Sequence, residues 1–403
     1  MYEVPPHMVD TALLPPPLMT SEPGSFAWNT FKVRIPKIID DINHQNRFPA
    51  VVLEAMRSLH DEITTGYITA PGQVNVEDAG FWQTAVQPWL GHSWLEVPWY
   101  WAEAYFYRRV LEATSYFVPG AMFHVDPYTP QKQSELAPQA APAALAKVLS
   151  HLPVDDESRF EMLLHASLWG NRTDLSYNVA SALGPARHVH DERANLLVDD
   201  TAVIWEYLQS SRRKDMVIIT DNAGTELLMD LALVDFLLQR EAVNCIRLHL
   251  KPQPFFVSDS MPKDVLDSIN VLEQRAAPLH ELGVRLREYV SNGQLALEDH
   301  WFYTTCLHYF QMPHDLISTL QSADFVLLKG DANFRRLLGD AHWPATTPFQ
   351  TVTSYFPAPF ASLRTLKAEL IVGLAPGQAE ALYALDPAWR TNGRRGVIQS
   401  NLT

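Results

Sequence analysis

The sequence predicts an α/β protein with a mostly parallel sheet, because short apolar strands alternate with amphipathic helices in its second half. In the clearest unit, an apolar run at 216–220 leads into a polar loop, and a helix with leucines at helical spacing extends to Leu238. The same order returns at 244–275 and at 325–338. Continuous apolar runs are typical of strands that are buried on both faces of a parallel sheet.

The first half of the chain is predicted to be mainly helical. Phe31, Ile35, Ile39 and Ile42 share one face of a first helix, and further helices are expected at 50–62, 98–114, 142–151 and 158–169. The segment 125–145 is rich in Pro, Ala and Gln and is predicted as a loop or linker, whereas Glu369–Leu374 is predicted as the last strand. We therefore expect an irregular arm at 1–24, a helical subdomain at 25–198 and an α/β domain at 199–403.

Composition narrows the class of protein. The 403 residues include 31 Lys and Arg against 46 Asp and Glu, a net charge of −15, which argues against nucleic acid or an anionic membrane as the main partner. The two cysteines, Cys245 and Cys306, imply neither a disulfide framework nor a zinc cluster. The amino terminus lacks the pattern of a signal peptide, and no apolar run approaches the roughly 20 residues of a membrane span, so a cytoplasmic protein is expected.

Polar residues follow three of the predicted strands. They are Asp221 and Asn222 after the first, Lys251 to Asp259 after the second, and Lys329, Asp331 and Asn333 after the third. The carboxyl ends of parallel strands lie at one edge of the sheet, where ligands bind in open α/β folds. Taken alone, Asp221 or Asn222 is better explained as a turn or N-cap residue of the helix that follows, but three such loops are better explained as a binding site.

The residue types at these strand ends suit a metal and a phosphate. Two carboxylates and one amide oxygen are typical ligands of Mg²⁺ or Mn²⁺, and nearby lysine and arginine side chains suit a phosphate group. Together they are the groups that phosphoryl transfer needs. The segment Lys329–Asn333 lacks the spacing of a Walker P-loop. Asn171 and Asp174 either face a pocket or end a helix, and the helix end is favoured; His188 and His190 are predicted in an exposed loop.

Five ordered segments resemble the damage-control phosphatase family. They are LWGNRTDLS (168–176), DNAGTELLMDLALVDFLL (221–238), KPQPFFVSD (251–259), KGDANFRRLLGD (329–340) and RTLK (364–367). The resemblance extends from about Phe26 to Leu374. RTLK is similar to the RTxK motif of the subfamily that contains sugar-phosphate-hydrolysing and protein-glutamate methyltransferase-like members.

The resemblance implies a three-layer α/β/α sandwich with a helical amino-terminal subdomain. It also implies a divalent metal (Mn²⁺, Co²⁺, Ni²⁺ or Mg²⁺) held by Asp221, Asn222 and Asp259. Substrate contacts are expected from the 331–335 loop, which includes Asp331, Asn333 and Arg335, from Lys367, and from Lys329 and Glu226 beside them.

The expected function is hydrolysis of small phosphorylated metabolites, with sugar phosphates such as fructose 1-phosphate as substrates. Asp221 acts either as a nucleophile that forms an aspartyl-phosphate, or as a group that, like Asp259, orients a water activated by the metal. The runner-up is an S-adenosylmethionine-dependent glutamate methyltransferase, although GTELL (224–228) is not a glycine-rich cofactor loop. A third reading is a metabolite-binding protein without turnover. The oligomeric state is not predicted.

Overall fold

A seven-stranded sheet organises the chain in the computed structural model, which describes residues 8–170, 193–210 and 214–403. The strands are β1 (Leu196–Asp199), β2 (Lys214–Ile219), β3 (Val243–Leu250), β4 (Leu295–Asp299), β5 (Phe325–Lys329), β6 (Phe360–Thr365) and β7 (Gly396–Asn401). Their order is β1-β7-β6-β5-β2-β3-β4. Only the β6–β7 pair is antiparallel, so the five strands from β6 to β4 run one way and β7 and β1 run the other.

Helices of varied length connect the strands and cover the sheet. They are α1 (Phe26–Asn29), α2 (Ile35–Gln45), α3 (Ala50–Thr65), α4 (Ala79–Ala85), α5 (Trp99–Ala113), α6 (Thr129–Glu135), α7 (Ala141–Ser150), α8 (Asp156–Trp169), α9 (Thr201–Gln209), α10 (Thr225–Gln239), α11 (Pro262–Glu273), α12 (Leu279–Asn292), α13 (His314–Gln321), α14 (Gly330–Leu337), α15 (Phe349–Val352) and α16 (Gln378–Leu385). A π-helical turn, Thr30–Arg34, joins α1 to α2. None of the helices in these ranges is long and apolar enough to cross a lipid bilayer.

The sheet separates two hydrophobic cores, as alternation along each strand requires. Val217 and Ile219 of β2 face the core formed with α2–α5 and α13–α16, whereas Met216 and Ile218 face the core formed with α7–α12. Helix α10 is buried along its whole length from Glu226 to Leu238, since it lies between the sheet and helices α7 and α8. The predicted α/β fold with a mostly parallel sheet is confirmed.

Two local predictions were wrong. Glu369–Leu374 is not a strand: Leu370, Ile371 and Val372 are buried, but their backbone does not pair with any strand of the sheet. The sheet is extended instead by β6 and β7. The predicted linker at 125–145 contains α6 and the start of α7, and Pro130 in the first turn of α6 is a helix-start signal that the composition obscured. The structure also contains elements that the sequence did not predict: the strands β1, β4, β6 and β7 and the helices α4, α12, α15 and α16.

The first half of the chain is tied to the second by buried polar contacts. Arg335 of α14 donates from its three nitrogens to Glu103 of α5 (2.6 Å) and to both carboxylate oxygens of Asp340 (2.7 and 2.9 Å), and its guanidinium lies 3.5 Å from the ring of Trp99. The division at 198/199 stays a prediction. Within the described residues, the helices of 25–198 lie on both faces of the sheet, α2–α5 on one and α7–α8 on the other.

Candidate active site

The candidate site lies where the strand order changes direction. From β2 the chain adds β3 and β4 on one side and then places β5 and β6 on the other, so a crevice opens between the carboxyl ends of β2 and β5. Thr220 and Asp221 follow β2, and Gly330 follows β5. The loops that were predicted to form a site therefore meet at this crevice.

Backbone bonds hold the loop after β2 against the loop after β3. Ala223 N–H donates to the Ser258 carbonyl (2.7 Å), and Ser260 N–H donates to the Asp221 carbonyl (2.8 Å), with Asn222 and Asp259 paired as an isolated bridge. The Ser258 hydroxyl also donates to the amide oxygen of Asn222 (2.5 Å). This crossing brings Asp221, Asn222 and Asp259 together although 36 residues separate Asn222 from Ser258.

Gly330 closes over Asp221 from the other side of the crevice. A Cβ atom at this position would lie 2.0 Å from Oδ2 of Asp221, and the backbone has a φ of +88°, which side chains rarely adopt. The same carboxylate oxygen accepts from the Asn222 amide (2.7 Å). The absence of a side chain at 330 therefore lets β5 approach the carboxylate that follows β2.

The site concentrates negative charge away from solvent. Burial raises the pKa of Asp221 well above its usual range, the charges of Glu226 and Asp259 raise it further, and Lys251 and Lys367 oppose them. Burial likewise raises the pKa of Asp259, against the opposing charge of Lys251. The carboxylates are thus only partly compensated by the cations beside them.

A hard divalent cation fits this donor set. Asp221 and Asp259 are 5% and 1% exposed, and Oδ2 of Asp259 accepts no hydrogen bond, although Nζ of Lys251 lies 3.2 Å away. Over the described ranges, no group of three or more His, Cys, Asp or Glu side chains is arranged to hold a metal. Two carboxylates and the Asn222 amide oxygen therefore suit an ion that keeps several waters, as Mg²⁺ and Mn²⁺ do, rather than a cage made of side chains alone.

Lys329 lies behind this cluster. Its ammonium donates to Glu226 (2.9 Å), Asp230 (2.8 Å) and the Ser167 carbonyl (2.8 Å), so all three protons are used. Burial opposes its charge, but Asp230 and Glu226 hold the pKa of Lys329 above its usual value, while burial raises the pKa of Asp230 to about 6. This geometry does not support the predicted contact between Lys329 and substrate. Instead, Lys329 fixes the position of the Glu226 carboxylate.

Asn333 and Arg335 also point into the protein. The Asn333 amide donates to the carbonyls of Thr220 (3.2 Å) and Lys329 (2.8 Å) and accepts from the Tyr309 hydroxyl (2.9 Å), so it ties the end of β2 to the end of β5. Arg335 is committed to Glu103 and Asp340, as described above. Substrate binding by Asn333 and Arg335 stays a prediction, and their hydrogen bonds to other protein groups do not favour it.

A small pocket of about 10 Å³, room for one water, opens beside the cluster and is lined by Glu226, Gly330, Asp331 and Lys367 among others. Arg364 shapes it: its Nε donates to Asp331 (2.7 Å), and Asp331 also accepts from the Lys367 backbone N–H (3.4 Å). Lys367 is half-buried, and no carboxylate of the described residues lies within ion-pair distance of its ammonium. The arginine of the RTLK motif thus orders the loop, and its lysine presents an ammonium that is unpaired with respect to the carboxylates of residues 8–170, 193–210 and 214–403.

Sequence reasoning missed two side chains of α6 that reach the site. Lys132 donates to the Asp259 carbonyl (2.9 Å), and Glu135 accepts from Thr225 N–H (3.4 Å) at the start of α10. They were missed because their segment was predicted as a linker, despite the proline in the first turn of α6. Asn171 and Asp174 lie outside the described residues, as do His188 and His190.

Substitution of Gly330 by alanine is expected to damage both stability and metal binding. The new methyl group meets Asp221 and the backbone must stay at positive φ, so we expect a loss of about 2–5 kcal/mol in the free energy of unfolding. Gly377→Ala is the matched control, because its φ is +81° with open space around a Cβ. Urea unfolding and Mn²⁺ calorimetry measure both effects; equal losses in the two variants would contradict the close approach to Asp221.

Comparison with known proteins identifies the family of this chain. The family model described as the damage-control phosphatase ARMT1-like domain matches residues 28–382. Damage-control phosphatase ARMT1 of Danio rerio is 34% identical over 96% of this chain and 97% of its own length, and the Homo sapiens protein of that name is 32% identical over 96% and 99%. A structure of a DUF89 family protein from Pyrococcus horikoshii covers 92% of this chain and 98% of its own at 13% identity, with a TM-score of 0.47. On the family match and the identities over nearly the whole chain, this protein belongs to the ARMT1-like damage-control phosphatase family.

Proposed function

We propose that this protein is a metal-dependent phosphomonoesterase that hydrolyses small phosphorylated metabolites. Family membership supports a metabolite-repair phosphatase. The observation that supports metal dependence is the crossing of two loops, which pairs Asn222 with Asp259 and buries the carboxylates of Asp221 and Asp259 at the edge of the sheet. A phosphate can approach from the side of Lys367, whose ammonium has no partner among the described carboxylates.

Each group has a distinct part in the proposed reaction. Asp221, Asn222 and Asp259 would hold the metal, which when bound polarises a phosphoryl oxygen and neutralises developing charge. The Lys367 ammonium attracts the phosphate dianion and orients it toward Asp221. Asp221 then serves as nucleophile or orients the attacking water, and Glu226, the second residue of α10, accepts a hydrogen bond from the Asn222 amide (2.9 Å).

Sugar phosphates such as fructose 1-phosphate are the proposed substrates. The support is the RTLK motif at 364–367, since Arg364 orders Asp331 and thereby the loop that presents Lys367. Carboxylates and an ammonium that line one pocket suit a substrate that carries hydroxyl groups next to its phosphate. A phosphate-release screen over sugar phosphates, with each of Mn²⁺, Co²⁺, Ni²⁺ and Mg²⁺, tests this substrate class directly.

Chelation is expected to abolish phosphate release reversibly. A site with two carboxylates and one amide binds a divalent ion less tightly than an all-carboxylate cage, so EDTA should remove the metal and Mn²⁺, Co²⁺ or Mg²⁺ should restore activity. The control is the same enzyme carried through EDTA with a molar excess of metal present. Full activity after exhaustive chelation, with no metal found by elemental analysis, would retire the proposal.

Asp221→Asn should lower kcat by at least about 10³-fold while the fold survives, because it removes a charged participant and keeps the side chain's shape. Burial and neighbouring carboxylates disfavour the Asp221 charge, so the metal-free variant should melt at a temperature no lower than the wild type. Gly224, not Asp221, is the N-cap of α10, so the cap explanation for Asp221 is wrong. If Asp221 takes no part in the reaction, the asparagine variant should keep a rate within a few-fold of wild type and an unchanged melting temperature. Steady-state kinetics and thermal melts, with and without Mn²⁺, separate the two outcomes.

Lys367 and Lys329 should respond oppositely to substitution. Lys367→Ala is expected to raise KM for the phosphorylated substrate at least tenfold with little change in stability, because a fixed cation meets phosphate in both the ground state and the transition state. Lys329→Met leaves Glu226 and Asp230 buried without their ammonium, so we expect a loss of about 3–5 kcal/mol in the free energy of unfolding. Kinetics and urea unfolding of both variants measure this. A Lys367→Ala enzyme with unchanged KM would remove Lys367 from the substrate site.

A further inference from the structure

Helix α6 touches both loops that carry the proposed metal ligands. Lys132 is 4% exposed, and its ammonium donates to the backbone carbonyl of Asp259 (2.9 Å). One turn further along the same helix, Glu135 accepts from Thr225 N–H at the start of α10 (3.4 Å). Gly224 permits this approach, because a Cβ there would lie 2.0 Å from the Glu135 carboxylate. A helix from the first half of the chain is therefore built into the edge of the site.

Lys132 is itself held rigidly. It pairs with Asp264 (2.8 Å) and Asp126 (3.2 Å), and Asp264 in turn accepts from Met261 N–H (2.9 Å) at the start of α11. The ammonium thus connects α6, the amino end of α11 and the Asp259 carbonyl at a single buried point. A buried lysine with three partners keeps one geometry, so the carbonyl it contacts is kept in place as well.

The loop that carries Asp259 needs such support. Phe256 and Val257 have φ values of 43° and 65°, which non-glycine residues seldom adopt and which persist only where surrounding contacts impose them. The Phe256 ring packs on Tyr107 with centroids 4.9 Å apart, so α5 contacts the turn directly. The contacts that impose the unfavourable backbone just before Asp259 thus include residues from the first half of the chain.

We propose that Lys132 is a positioning residue for metal binding, which acts through the Asp259 carbonyl to set the direction of the Asp259 carboxylate. The inference rests on the proposed function, because it takes Asp259 as a metal ligand. It extends the proposed function by making α6 part of the site, so that a helix from the first half of the chain affects metal affinity. Groups that hold a ligand in its orientation commonly change metal affinity by 10–100-fold when removed.

Lys263 provides a matched control on the same carboxylates. It pairs with Asp126 (3.2 Å) and Asp264 (2.9 Å), as Lys132 does, but it is partly exposed and makes no contact with the Asp259 carbonyl. Lys132→Met and Lys263→Met therefore remove the same charge from the same pair of carboxylates. They differ in the bond to the metal loop.

The test is calorimetric titration of the full chain with Mn²⁺ after chelation, supported by kinetics. We expect Lys132→Met to raise the Kd for Mn²⁺ at least tenfold, Lys263→Met to leave it within about twofold, and KM for substrate at saturating Mn²⁺ to stay near wild type in both. If Lys132→Met does not fold, Lys132→Met with Asp264→Asn restores the local charge balance and is compared with Asp264→Asn alone. A Kd in the Lys132 variant within twofold of wild type, or an equal rise in Lys263→Met, overturns the inference and leaves the proposed function standing. No Mn²⁺ binding by the wild type overturns both.

Discussion

Burial of several carboxylates at one edge of the sheet is the constraint on which the rest of the site depends. Asp221, Glu226, Asp230 and Asp259 are each 5% exposed or less. A buried charge needs a partner, and Lys329 supplies one ammonium for both Glu226 and Asp230. Lys251 lies beside Asp259, and in the described part of the chain Asp221 has no ammonium within ion-pair distance. Each pair of carboxylates thus has one ammonium, and Asp221, which we propose as a metal ligand, is the member of its pair without an ion-pair partner among the described residues.

The same constraint explains why the lysines and arginines around the site differ in role. Lys329 and Arg335 have carboxylate partners that occupy their donors, so they stabilise the protein around the pocket. Arg364 is fully buried and holds Asp331 in place. Lys367 is the cation that lines the pocket while remaining unpaired among the described residues. A lysine or arginine near the site is thus available to bind a phosphate only where it is not already paired with a buried carboxylate.

The first half of the chain takes part in the site as well as in the fold. Glu103 and Trp99 receive Arg335 of α14, Tyr107 packs on Phe256, and Lys132 holds the Asp259 carbonyl. These contacts come from α5 and α6, which lie outside the α/β half where the polar loops were recognised. Helices α5 and α6 therefore contact the loops of the site directly and help to hold their backbone conformation.

Much of the architecture could be predicted because it follows from local pattern. The apolar runs of β2 and β5 are almost wholly buried, and β3 is buried at its carboxyl end. The expectation that the carboxyl ends of these strands share one edge brought the loops that carry Asp221, Asn222 and Asp259 into one hypothesis. Strands β6 and β7 escaped prediction because Arg364 and Gln399 are buried polar residues within them. The run 369–374 was mistaken for a strand because apolar residues are buried equally well in an unpaired segment.

The sequence by itself determined the α/β class, the order of the polar loops and the residue types that meet at the sheet edge, because strand periodicity and the loop motifs are local properties. Tertiary structure decided which of those side chains face the pocket and which form hydrogen bonds or ion pairs with other protein groups. Lys329 and Lys367 are both lysines beside the site, yet one contacts Glu226 and Asp230 while the other lines the pocket. That distinction depends on residues distant in the chain, such as Ser167 and Asp230 for Lys329. Spacing along a single chain carries no information about such pairs.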